Sequence, residues 1–110
     1  MRKSSWEKTQ EELLQERAEV LGRAGEALAA ALSDVEKIGR SISASLRKAG
    51  ERPDSELLSE INDEIRHYNR AREYAQLRLY YLIVTREAMG FRRHKTVEEV
   101  YKIPPKKKYL

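Results

Sequence analysis

The chain has 110 residues, of which 36% are charged and 40% are hydrophobic, and it contains no cysteine. That length fits one small domain with too little apolar material to wall a large cleft, and the missing cysteines exclude disulfides, thiolate metal sites and cysteine nucleophiles. The formal net charge of +4 is uneven, because residues 1–50 carry +1, residues 51–90 carry −2 and residues 91–110 carry +5.

The sequence holds no segment typical of a membrane span. Its longest strictly apolar run, residues 79–84, is six residues long, whereas a transmembrane helix needs about 20. Its first residues lack the apolar stretch of a signal peptide. With only 5 glycines and 3 prolines, the composition does not fit a small β-sandwich or barrel. We therefore expect an all-α, soluble, cytoplasmic protein.

The first predicted helix runs from about residue 5 to residue 49. Ser4 and Glu7 have the spacing of an N-terminal capping box, and Gly50 follows the basic pair Arg47 and Lys48, as expected at a helix C-terminus. Apolar residues recur every seven positions and predict a coiled-coil-like seam. They are Leu14, Leu21, Leu28, Val35, Ile42 and Ala49.

A turn at residues 50–54 and a second helix over residues 54–89 follow. Pro53 fixes the turn, Asp54 or Ser55 caps the helix, and Gly90 ends it. Two seven-residue series run along this helix: Leu58, Ile65, Arg72, Leu79, Arg86, and Ile61, Tyr68, Ala75, Leu82, Met89. A short turn between long helices with matching seams predicts an antiparallel helical hairpin over residues 1–90.

Two departures from the seam pattern call for an explanation. Arg72 and Arg86 occupy seam positions where an apolar residue is expected. We expect each arginine either to pair with a carboxylate and set the register of the two helices, or to mark a place where the hairpin opens for a partner. Gly22 and Gly25 lower helix propensity, which indicates either that another helix crosses closely there or that the long helix tolerates them.

After Gly90 the composition changes to a basic segment, residues 91–103, with a short helical turn that begins at the capping box Thr96–Glu99. Residues 104–110 combine prolines and lysines, and we expect a disordered tail. The alternative roles of this tail are docking into an aromatic groove, binding to nucleic acid, and attraction to an anionic membrane surface.

The two predicted helices differ in length. With the turn centred near Arg52, Gly90 comes level with Leu14, so the first dozen residues of the first helix overhang the second. Trp6 then has no partner from the second helix. We expect residues 96–101 to fold back beside the start of the first helix, with Trp6 packed against Phe91, Val97 or Tyr101.

The run from Leu77 to Val84 is apolar on every side of a helix. Leu79, Leu82 and Ile83 lie toward the seam between the two helices. The apolar side chains on a separate face of the second helix are not covered by that seam and need another surface to pack against. That face is the predicted partner interface, formed by Leu77, Tyr80 and Val84. Two hairpins that form a homodimeric four-helix bundle satisfy it. The alternatives are a different protein partner and cover of this face by either end of the same chain.

Cations and aromatic residues form an outward stripe on the second helix, continued by the basic C-terminal residues. Such a stripe binds phosphates and stacks on bases, or it is an ordinary solvated face. The candidate anion-binding or nucleic-acid-binding residues are His67, Arg70, Tyr74, Arg78, Arg92, Arg93, Lys106, Lys107 and Lys108, with Tyr81 beside them.

Catalytic and metal-binding patterns are weak. Glu64 and His67 have the Glu-x-x-His spacing of ferritin-like proteins, but His67 points away from the seam and only Glu36 of the first helix lies near it. We expect no metal, no cofactor and no catalysis. The sequence favours a non-catalytic interaction or scaffold module that self-associates and binds a protein partner. A small nucleic-acid-binding protein is the first alternative, and a ferritin-like metal-binding hairpin is the second.

Overall fold

The computed structural model describes residues 2–110. Helix α1 spans Ser5–Ala49, helix α2 spans Ser55–Ala88 and the short helix α3 spans Lys95–Val100. No strand occurs among residues 2–110. The helices α1 and α2 pack against each other as a hairpin, which confirms the all-α prediction. The molecule is elongated, 75 × 23 × 17 Å.

Both long helices begin at capping residues that the sequence singles out. The Ser4 hydroxyl accepts a hydrogen bond of 3.2 Å from the Glu7 amide, and the Asp54 carboxylate accepts one of 2.8 Å from the Leu57 amide. Each of these bonds satisfies a backbone donor that has no partner within its helix. Gly50 adopts φ +69° at the end of α1, a conformation that other residues rarely adopt.

The end of α2 reverses the direction of the chain. Gly90 has φ +94°, its amide donates to the Glu87 carbonyl at 3.0 Å, and the Phe91 amide donates to the Arg86 carbonyl at 3.0 Å. These two bonds form a Schellman motif. Because of this turn, the residues after Gly90 return beside the hairpin.

The core lies along the predicted seams. Tyr68 of α2 closes over Gly39 of α1, where a Cβ atom would lie only 3.3 Å from the tyrosine ring. The glycine therefore lets an aromatic side chain approach the α1 backbone. The buried side chains are Leu28, Ala31, Val35, Ile42, Ile61, Ile65, Tyr68, Ala75, Leu79 and Leu82.

The C-terminal segment, residues 91–110, forms a third layer on the hairpin. Val97, Tyr101 and Ile103 pack against the cluster of Leu28, Leu79 and Leu82. Ile103 also contacts the second core cluster, which consists of Ala31, Val35, Ile42, Ile61, Ile65, Tyr68 and Ala75. This segment is therefore part of the folded domain.

The two glycines of α1, for which the sequence left open a crossing helix or simple tolerance, have different surroundings in the structure. A Cβ atom at Gly25 would lie 3.3 Å from the Tyr101 hydroxyl, while one at Gly22 would meet no atom within 4 Å. The small residue at Gly25 thus makes room for a tyrosine of the C-terminal segment. Within the described chain, Gly22 faces open space.

The structure also shows that the predicted packing of Trp6 is wrong. Its side chain is 70% exposed, and Val97 and Tyr101 contact the Leu28 cluster instead. The predicted fold-back does occur, but the Schellman turn directs it to the middle of α1. The overhang of α1 is present, because every residue from 2 to 20 is exposed. No helix in the described range is long and apolar enough to cross a membrane.

Candidate interaction surfaces

Two asparagines of α2 hold the tail, residues 104–110, through its backbone. The Asn69 amide donates to the Lys107 carbonyl at 3.0 Å and accepts from the Lys107 amide at 2.9 Å. Asn62 makes the same pair of bonds to Leu110, at 3.4 and 2.8 Å. The tail is therefore ordered along α2, in contrast to the disordered end that the sequence predicts.

The spacing of these contacts has a geometric cause. Asn62 and Asn69 are seven residues apart, which is about 10.5 Å along a helix. Lys107 and Leu110 are three residues apart, which is about 10 Å along an extended chain. The two lengths match, so two asparagines one heptad apart on α2 reach two tail residues that are three positions apart.

The arginines at the two seam positions also bind the C-terminal segment. Arg72 donates to the Pro104 carbonyl at 2.7 Å. Arg86 donates to the Arg93 carbonyl at 3.1 Å and to the His94 ring at 3.3 Å, and its guanidinium lies 4.7 Å from the centre of the Phe91 ring. Among the described residues neither arginine pairs with a carboxylate, so the predicted carboxylate pairing is wrong, and both arginines instead bind the C-terminal segment that covers the seam.

Two of the three tail lysines are engaged within the molecule. The ammonium of Lys107 lies 4.9 Å above the centre of the Tyr68 ring, and Lys106 lies 3.3 Å from the Glu73 carboxylate. Lys108 is exposed. The tail is thus not a free cluster of three positive charges.

The predicted cationic stripe lies on another side of α2. At about 100° per residue, His67, Arg70, Tyr74 and Arg78 face well away from Asn69 and the tail. The Arg78 guanidinium is bound to the Tyr74 hydroxyl at 2.9 and 2.6 Å and lies 5.0 Å from its ring. Stripe and tail lysines are therefore separate surfaces.

Exposed apolar side chains form a patch on the outer face of α2. The predicted interface residues Leu77, Tyr80 and Val84 are 43%, 59% and 41% exposed, and Tyr81 beside them is 47% exposed. The rings of Tyr80 and Tyr81 contact each other at 5.9 Å between centroids. These four residues are called the apolar patch below. The C-terminal segment leaves the patch uncovered.

A second exposed apolar surface lies on the overhang of α1. Residues 5–20 are called the arm below. The first part of the arm continues α1 past the end of α2, and Leu14, Leu21 and Phe91 line one pocket near that end. Trp6, Leu13 and Leu14 are 70%, 42% and 63% exposed. The face that α1 uses against α2 therefore continues without a partner.

The residues of the predicted metal site are used otherwise or exposed. The Glu64 carboxylate accepts hydrogen bonds from the hydroxyls of Ser41 and Ser45, at 3.0 and 2.8 Å, and it thereby links the two helices. His67 is exposed. Among residues 2–110, no group of three His, Asp or Glu side chains is placed to hold a metal ion.

A shallow groove of about 470 Å³ lies between α1 and the tail. Val35, Gly39 and Tyr68 line its floor, and Arg40 and Lys107 lie at its rim. Arg40 pairs with Glu36 at 2.8 Å, which partly neutralises the rim. The groove is open and holds no arrangement of catalytic side chains.

No protein-family model matches this sequence, and searches of curated proteins and of solved structures gave no match. Function is therefore inferred from the side chains that the chain itself brings together. Sequence reasoning missed the tail site. The available signal was the pair Asn62 and Asn69, two weak helix formers one heptad apart beside the seam.

Proposed function

We propose that this protein is a non-catalytic interaction module that self-associates. Two hairpins form a homodimer in which four long helices belong to one bundle, and the dimer offers its remaining surface to a protein partner. The observation that carries this proposal is the exposure of Leu77, Tyr80, Tyr81 and Val84 on one face of α2. Contiguous exposed apolar residues of this kind are typical of interaction sites.

The size of the effect supports association. Complete burial of a large apolar side chain contributes about 1.5–3 kcal/mol, and roughly half of each patch side chain is still available for burial. A two-fold axis doubles every contact. Tyrosine also suits an interface because its ring is apolar while its hydroxyl stays hydrated at the rim.

Light scattering tests this proposal directly. We expect the wild-type chain to have twice its 12.8 kDa mass at concentrations of about 10–50 µM, and the double variant Tyr80→Glu, Val84→Glu to be monomeric with unchanged helix content. Leu46→Glu is the matched control, because Leu46 is as exposed as Val84, at 42%, but lies near the hairpin turn. A monomeric wild-type chain in this range contradicts the proposal.

The cationic surface supports a second candidate, the binding of nucleic acid. Arg70, Arg92 and Arg93 are exposed, and Arg78 is partly exposed beside Tyr74. Binding through phosphate contacts weakens steeply as salt increases, whereas burial of the apolar patch does not. Fluorescence anisotropy with a labelled single-stranded oligonucleotide, measured at low and at physiological salt, tests this candidate. Salt-independent binding, or none, contradicts it.

A further inference from the structure

The arm and the apolar patch are both uncovered, and both lie toward the end of the hairpin where α2 stops. Of the large apolar side chains that the structure leaves exposed among residues 2–110, most lie on the arm or between residues 74 and 100. The exceptions are Leu46, Tyr109 and Leu110. A single kind of contact that covers arm and patch together therefore accounts for most of the exposed apolar side chains.

The spacing of the two surfaces matches. Trp6 and Leu13 are seven residues apart on the arm, and Leu77 and Val84 are seven residues apart on the patch. Side chains at that spacing lie on one face of a helix and meet a partner helix that has the same repeat. Tyr80 falls between the two patch positions, where a coiled coil places its second contact residue.

The direction of the chains is also compatible. The arm projects past the end of α2, so two copies related by a two-fold axis perpendicular to their length meet end to end and overlap by their arms. In that arrangement each arm runs in the same direction as the α2 helix of the other copy. Trp6 then faces Leu77, and Leu13 faces Val84.

Charge decides between this contact and its competitors. Residues 5–20 carry five acidic and two basic side chains, a net charge of −3. Residues 70–93, without Arg72 and Arg86, which bind the C-terminal segment on the seam side of α2, carry two acidic and four basic side chains, a net charge of +2. Patch against patch brings together two positive surfaces, and arm against arm brings together two negative ones. Only arm against patch joins opposite charges.

We infer that the arm of one copy packs on the apolar patch of a second copy, and that the exchange is reciprocal. This inference rests on the self-association in the proposed function and names the two surfaces of the dimer, but it replaces the side-by-side four-helix bundle with an end-to-end overlap. Each end of the overlap then contains three helices: α1 and α2 of one copy and the arm of the other. The Trp6 indole, 70% exposed in the single chain, becomes covered in the dimer.

Two double variants of the full chain test the exchange. The arm variant carries Trp6→Gln and Leu13→Gln, and the patch variant carries Tyr80→Gln and Val84→Gln. Glutamine is a good helix former and leaves the net charge unchanged, and all four positions are exposed, so far-UV circular dichroism should be unaltered. Each variant alone should be monomeric by light scattering, because it loses both copies of the contact.

Mixing the two variants restores one contact, between the arm of the patch variant and the patch of the arm variant. Trp6 is the only tryptophan, and in the mixture only the patch variant carries it. Its emission should therefore shift to the blue as the arm variant is added, up to about 500 µM because one contact lacks the avidity of two, with a matching rise in mass.

The outcomes separate this inference from the proposed function. A monomeric wild-type chain contradicts both the proposed self-association and the exchange. A dimer that survives in the arm variant keeps self-association and overturns the exchange, since the patch must then meet another surface. Two monomeric variants that do not combine also overturn the exchange. Recovery of the dimer on mixing, with blue-shifted emission, supports it.

Discussion

At the scale of single residues, the paired hydrogen bonds of Asn69 are the clearest means of testing the tail. Asn69→Ala removes the partner of both the amide and the carbonyl of Lys107, and each net hydrogen bond is worth about 0.5–1.5 kcal/mol. We expect the Lys107 amide to lose its protection in hydrogen exchange. Gln76→Ala is the matched control, because Gln76 is exposed and lies one heptad further along α2. Unchanged protection in the Asn69 variant contradicts the observed docking.

Gly22 offers a test of the open space beside α1. A Cβ atom there meets nothing within 4 Å, so Gly22→Ala should add about 0.5–1 kcal/mol of stability through helix propensity. This corresponds to an increase in melting temperature of several degrees. Gly50→Ala is the control, since φ +69° at Gly50 strains any other residue and should lower the melting temperature. A lower melting temperature for Gly22→Ala is evidence that another helix does cross there.

At the scale of elements, the C-terminal segment divides at Ile103. This side chain contacts both core clusters, so Ile103→Ala should lower the free energy of unfolding by about 2 kcal/mol. Val100→Ala is the control, because Val100 is 67% exposed and should change stability by less than about 0.5 kcal/mol. Chemical denaturation measures both. Equal effects of the two substitutions contradict the role of Ile103 in the core.

Removal of residues 106–110 should have a smaller effect than Ile103→Ala. Those residues form four hydrogen bonds with Asn62 and Asn69, two donated and two accepted, each worth about 1 kcal/mol. Ordering each residue of an extended chain costs about 1–2 kcal/mol. The hydrogen bonds do not exceed this ordering cost, so the docked tail opens readily, and the melting temperature should remain nearly constant.

The long helices could be predicted because their signals are local and periodic. The sequence places α1 at residues 5–49 and α2 at residues 54–89, within one residue of the observed ends, because the caps and the heptads agree with each other. Arg72 and Arg86 were recognised as departures from the seam. Their partners are backbone carbonyls, which carry no pattern in the sequence, so the observed contacts could not be predicted.

The C-terminal segment was harder for the same reason. Asn62 and Asn69 bind the amide and carbonyl groups that every residue shares, and prolines with lysines are typical of disordered ends.

For Trp6, the sequence indicated a missing partner correctly. The choice of partner was wrong because the turn at Gly90 returns the chain along the hairpin, and the pattern of apolar residues does not specify that direction.

At the scale of the whole molecule, the dimer should be much longer than the monomer. One chain is 75 Å long, and two chains that pair Leu13 with Val84 overlap by about 45 Å and should span on the order of 100 Å, given 1.5 Å per helical residue. Two hairpins packed side by side along their whole length keep a dimension near 75 Å. Small-angle X-ray scattering on the wild-type dimer distinguishes these shapes, and a maximum dimension near the shorter value contradicts the end-to-end arrangement.

The asparagine pairs along α2 have a consequence for how the tail tolerates change. Because Asn62 and Asn69 bind only main-chain atoms of Leu110 and Lys107, Lys108 and Tyr109 between them act as a spacer of fixed length. Their identity is free to vary, but their number is not, since one residue fewer leaves a gap of about 3 Å that the asparagines cannot close. The docked tail therefore requires a fixed number of residues between Lys107 and Leu110, but no particular side chain at those positions.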